Sequence, residues 1–196
     1  GRTRVSPPRG RAPKASRPGK GTIRSEMMTM FRRGMLPLLA ALLLPVSSAH
    51  AAVLAGVTLP DSVTVEGRAL ELNGIGLRTR MMFKVYVAGL YLTAKSTDAD
   101  AVLAADAPRR VVMQFLRDVE KEKMCEAWDE ALANNTPNAS AELKAQFTTL
   151  CSYMEDIKKE QQFVFTYVPG TGTEVSVAGK AKGTIAGKEF ADALFK

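Results

Sequence analysis

Apolar and polar positions fall into regular periods only from about Val53 onward. Val57 to Val65 and Ala69 to Leu72 alternate around Glu66-Gly67, which predicts two strands and a tight turn. FKVYVAGLYL, residues 83–92, alternates too, but it is apolar on both faces. Phe83, Val85, Val87 and Tyr91 on one side are matched by Tyr86, Ala88, Leu90 and Leu92 on the other. Such a strand must be covered twice, and the second cover is either more protein or an apolar ligand.

Farther along, Ser96-Thr97-Asp98 reads as the cap of a short helix through Ala105, which Pro108 ends. Residues 110–116, RVVMQFL, form another two-sided strand. Asp118 is expected to cap a helix to about Asn134, with Met124, Trp128 and Leu132 on one side. After the turn NNTPN, a second amphipathic helix runs from about Ser140 to Ile157. QQFVFTYV (161–168), the turn PGTGT and EVSVA (174–178) read as a hairpin. A short strand near Gly183 to Ile185 then leads into a helix from about Gly187, still running where the chain stops at Lys196. Strands, helices, strands, helix is the order of an α+β fold with an antiparallel sheet. Residues 52–196 are expected to form this one domain, its C-terminal end missing.

The first fifty residues follow neither period. Residues 1–29 are rich in Pro, Gly, Ser and Arg and cannot build a core; a start codon at Met27, Met28 or Met30 would make them an artefact of gene calling. In residues 30–51 Arg32 and Arg33 precede an apolar run from Met35 to Val46 that ends in Ala49-His50-Ala51. This is the layout of a signal peptide, with a transit peptide as its rival. The run is too short to span a bilayer, which takes roughly 20 residues. Cleavage after Ala51 would leave an exported, periplasmic domain with no membrane span.

That division relocates the charge. Residues 1–51 hold ten of the 27 Lys and Arg and one of the 20 acids, leaving 17 bases and 19 acids, a net of −2, so the overall +7 belongs to the leading segment. A slightly acidic domain with dispersed bases does not suit nucleic acid. The single histidine is His50, so the domain has no histidine for a triad, a general base or a metal site.

Cys125 and Cys151 are the only cysteines. With the helical hairpin turning near residue 137 they come roughly level on facing helices. Export would let them form a disulfide; two buried thiols are the alternative. LNGIGLRTR (72–80) and PGTGT lack the residues of nucleotide loops and read as turns that need positive φ or close backbone approach. Arg78, set between those glycines and a two-sided apolar strand, presents a planar fork of donors suited to an oxyanion or carboxylate.

NGIGLR (73–78), FKVYVAGLYL (83–92), VVMQFLRDV (111–119), FVFTYVPGTGTEV (163–175) and GTIAGKEFADALF (183–195) occur in the order seen in chalcone isomerase-like proteins. The chain resembles that family, and its exported bacterial branch in particular. The resemblance implies an open-faced α+β fold, a long curved antiparallel sheet backed by helices, with a cleft between them for a fatty acid, a phenolic compound or haem.

It also implies roles. In the plant isomerases an arginine holds the substrate phenolate, a threonine and a tyrosine bind a water, and an asparagine helps place the substrate. The arginine matches Arg78, the threonine position is Tyr86, and residues 111–133 hold neither tyrosine nor asparagine. If the chain is an isomerase, an intramolecular lyase, Arg78 and Tyr86 are its catalytic candidates. The reading this favours is a non-catalytic binder with Arg78, Lys84 and Tyr86 as ligand contacts. A ligandless interaction protein is the remaining alternative, with no protein partner indicated. Haem would need Tyr86, Tyr91, Tyr153, Tyr167, Met81, Met82 or Met113 as its axial ligand, with Arg78 or Lys84 on a propionate.

Overall fold

The computed structural model describes residues 51–196. The expected extension and signal segment lie outside the described residues, apart from Ala51. In chain order the elements are β1 (Ala51–Leu54), β2 (Val57–Pro60), β3 (Ser62–Val65), β4 (Arg68–Arg80), β5 (Phe83–Leu92), α1 (Ala99–Ala104) and β6 (Arg109–Phe115). Then come α2 (Lys121–Asn135), α3 (Ala141–Tyr153), β7 (Gln162–Val168), β8 (Gly172–Val177), β9 (Lys180–Ile185) and α4 (Lys188–Phe195).

β3 to β9 pair with their chain neighbours as one seven-stranded antiparallel meander, and β1 and β2 form a separate hairpin. The expected strand from Val57 to Val65 therefore breaks in two, at Asp61, whose carbonyl accepts from the Leu72 amide at 2.7 Å. Glu66 (φ 46°) and Gly67 (φ 76°) make the tight turn between β3 and β4. Asp98 caps α1 by accepting from the Ala101 amide at 3.0 Å, and Ser140 caps α3 by accepting from Leu143 at 3.0 Å.

Each face of the sheet buries an apolar layer. Phe115, Phe163, Phe165, Val175 and Val177 meet Met124 and Leu132 of α2, Leu143, Phe147 and Leu150 of α3 and Phe190 of α4. On the opposite face Leu70, Leu72, Val87, Tyr91 and Val112 pack against Val57 and Leu59 of the β1–β2 hairpin. The second cover of β5 is thus protein over the half that runs from Val87 to Tyr91.

Three further expectations differ from the structure. Gly74 and Gly76 lie inside β4 and make no turn; neither has a positive φ, and a Cβ added to either would meet nothing within 4 Å. Asp118 does not cap α2. Its carboxylate accepts from the Lys159 amide at 2.9 Å, while the α2 terminus is tied by Asp156, which accepts from the Lys121 amide at 3.0 Å. α3 also ends earlier than Ile157, at Tyr153. Ile157 is buried all the same, because its extended segment bridges Val119.

Candidate functional site

An irregularity in the β4–β5 ladder builds one wall of the site. Arg78 pairs with Tyr86 but Thr79 pairs with Lys84, so Val85 is an extra residue on β5. An extra residue shifts the phase of alternation. Phe83 and Val85 therefore join Tyr86 on the helix side, while Val87 and Tyr91 turn to the hairpin side. The strict alternation read from sequence, which groups Phe83 and Val85 with Val87, fails at this bulge. Cross-strand partners share a face, so Gly74, Gly76 and Arg78 of β4 stand with Leu90, Ala88 and Tyr86 on the helix side.

Between this wall and α2 runs a groove of about 950 Å³. Val85, Tyr86 and Met113 line its sheet side; Met124, Ala127, Trp128 and Ala131, spaced by three and four residues along one face of α2, line the other. Arg78, Arg80 and Phe83 stand at the strand ends with Arg117 just beyond β6, and Leu194 of α4 and Lys196 after it border the groove. Tyr86 and Phe115 meet at 5.5 Å between ring centroids, and Trp128 stands edge-on to Phe165 at 5.7 Å, so these two groove aromatics are held by core rings.

The electrostatics are asymmetric. Arg78 is exposed at the mouth, directly opposite the half-buried Tyr86. Burial pushes the Tyr86 hydroxyl above its ordinary value, partly opposed by the Arg78 charge. The phenol therefore stays protonated and offers an O–H beside the guanidinium. A carboxylate placed there would accept from both, with its apolar tail against Val85, Met113, Met124 and Trp128.

Of the sequence-derived ligand contacts, the structure brings Arg78 and Tyr86 together on the groove and leaves Lys84 outside it. Lys84 sits between Phe83 and Val85 and is turned away by the pleat. Among the tyrosines and methionines considered for haem, Tyr86, Met81 and Met113 border the groove. Tyr91 lies on the hairpin side, where its hydroxyl donates to the Pro60 carbonyl, and Tyr167 donates to Asp106 at 2.6 Å. Cys125 and Cys151 are disulfide-bonded, with Cα atoms 5.4 Å apart, and clamp the groove helix α2 to α3.

A family model described as chalcone isomerase-like matches residues 51–196. The chain belongs to the chalcone isomerase-like family. This chalcone isomerase-like chain also shares its fold with a solved fatty-acid binding protein of Arabidopsis thaliana, at a TM-score of 0.59 and 15% identity, over 74% of this chain and 86% of that one. No curated protein sequence matches it. The long antiparallel sheet with helices on one face, expected from the resemblance, is the fold observed.

Several groove residues carry no signal strong enough to be singled out in the sequence. Arg117 stacks over the Phe83 ring at 4.8 Å, and Val85 enters the site only through the bulge. Asn134 and Asn135, at the end of α2, also border the groove. They lie just beyond residues 111–133, where the resemblance would put the asparagine of the plant isomerases. Met124 and Trp128 were legible as one face of a helix, but that face is shared between core and groove.

Proposed function

We propose that this protein binds an apolar acid, a long-chain fatty acid before other candidates, with its carboxylate on Arg78 and Tyr86 and its chain along the α2 side of the groove. The observation that carries this is the cross-strand Arg78–Tyr86 pair, one cation and one neutral donor at the mouth of a groove whose charged rim surrounds an apolar stretch of Val85, Met113, Met124, Ala127 and Trp128. Its volume lies within the roughly 300–1,000 Å³ typical of small-molecule sites. The fatty-acid binding neighbour supports the same ligand class. Ring closure in the plant manner would also need a water held by a threonine and a tyrosine; here the threonine position is Tyr86 itself.

Export to the periplasm is part of the proposal, with residues 30–51 as a removable signal and the exported bacterial branch as the chain's place in the family. The Cys125–Cys151 bond supports it, because disulfides persist in oxidising compartments.

Native mass spectrometry of the purified protein should find a fatty acid bound. After delipidation, oleate should change the fluorescence of Trp128, the single tryptophan, in a saturable manner. No bound lipid together with a flat titration would remove this reading. A hydroxychalcone closing faster than its spontaneous rate would replace it with an isomerase.

A further inference from the structure

The two most exposed large apolar side chains among the described residues are adjacent and belong to neither apolar cluster of the core. Met81 is 90% and Met82 94% exposed, and the adjoining Phe83 is 58% exposed. Met81 and Met82 form the two-residue turn between β4 and β5, which the Arg80–Phe83 pair closes. Met81 has φ 56°, a conformation that favours glycine or asparagine. A methionine held there strains the turn while its side chain stays in water.

We propose that this turn is a membrane-insertion tip that seats the mouth of the groove on an anionic lipid bilayer. The surrounding charge fits that surface. Arg80 and Lys84 flank the tip in sequence, Arg117 stacks on Phe83, and Arg78 stands one pair farther along the ladder. Glu130 of α2 lies 3.9 Å from Arg80, and Asp118, Glu120 and Asp156 also border the groove. Arg78, Arg80, Arg117, Lys123, Lys158 and Lys196 outnumber these acids and leave the mouth positive. Apolar side chains ringed by bases dip into the headgroup region while the bases meet anionic lipid. A three-residue tip is also too small for a stable protein interface, which buries about 1,200 Å² or more.

Met81 and Phe83 border the groove as well, so insertion would bring its mouth to the level of lipid headgroups. An apolar acid would then pass between bilayer and groove without its chain crossing water. This transfer role rests on the fatty-acid reading above; the docking itself does not.

The test is co-sedimentation of the full chain with vesicles made of equal parts phosphatidylcholine and phosphatidylglycerol, without fatty acid. Met82 lies outside the groove lining. Met82→Ser should partition roughly tenfold less, and Met82→Trp at least as strongly as the parent, since Trp favours the interface. Oleate titration of Met82→Ser without vesicles should match the parent. If the basic residues 1–51 alone carried binding, Met82→Ser would partition like the parent, and the proposal would fall. It would fall equally if Met82→Ser left partitioning intact but abolished self-association in ultracentrifugation, since the tip would then be a contact between copies. A parent that binds vesicles through Met82 yet takes up no oleate would keep the docking and remove the fatty-acid reading.

Discussion

The Tyr91 hydroxyl donates to the Pro60 carbonyl at 3.0 Å, fastening the β1–β2 hairpin to the centre of the sheet. Gly89, two residues earlier on the same face of β5, leaves room for Leu59 of that hairpin; a Cβ there would come within 2.5 Å of Leu59 Cδ1 and 3.2 Å of Leu72 Cδ1. Leu59 is fully buried and has little room to retreat. Gly89→Val should therefore destabilise the fold by about 1–3 kcal/mol. Urea unfolding should show the loss, and amide exchange should quicken first in residues 51–60.

Arg78→Ala removes the charged donor at the groove mouth. Hydrogen bonds to charged groups contribute about 1.5–3 kcal/mol, so oleate affinity should fall roughly 10- to 100-fold. Tyr86→Phe should cause a smaller loss, because a neutral donor is removed. Displacement of a fluorescent fatty acid measures both. Lys84→Ala, outside the groove, should leave affinity at the parent's value.

Arg109 is the most buried charge among the described residues, at 1% exposure. It pairs with Asp192 of α4, donates to the Val102 carbonyl at 3.1 Å and lies over the Tyr167 ring at 4.9 Å. Asp192→Leu alone leaves that cation unpaired and should destabilise by about 3–5 kcal/mol; Arg109→Met with Asp192→Leu should cost less than Asp192→Leu alone. Chemical denaturation of the two variants decides it.

Reduction of Cys125–Cys151, which closes a loop of 26 residues, should lower stability by about 3–4 kcal/mol. The urea midpoint with and without reductant reads this. Because α2 forms one wall of the groove, reduced protein should also hold oleate more weakly.

The Asp118 carboxyl is held below its ordinary range, first by the Lys159 amide and then by Lys158. Its folded state thus keeps the charge at a pH where the unfolded chain takes up a proton. The stability this contributes is present above an ordinary aspartate pKa of about 4 and is lost as pH falls through the lower folded value. Melting curves of the parent and Asp118→Asn should differ at neutral pH and converge in acid.

Element order and the antiparallel α+β class were legible because turns such as Glu66-Gly67 and caps such as Asp98 act locally. Phase was not legible in FKVYVAGLYL. A strand apolar on both faces looks the same with or without an extra residue, so only pairing reveals the bulge at Val85. Gly74 and Gly76 misled for a related reason, since glycine that keeps a sheet face bare looks in sequence like glycine that turns a chain. Asp118 lay at the expected distance for a cap, but its partner amide, Lys159, is 41 residues away. Arg109 was invisible as a buried group because its counter-ion, Asp192, lies 83 residues away in the chain. Arg78 was legible from its place beside the glycines and a two-sided apolar strand, and Tyr86 from the resemblance, but their being opposite one another is a matter of register, which sequence spacing does not supply.

The extra residue at Val85 separates β5 into two stretches under different obligations. From Val87 onward, substitutions answer to the hairpin packed above them. From Phe83 to Tyr86 they answer to whatever occupies the groove. Substitution at one end can thus reshape the groove wall while the scaffold at the other end stands still.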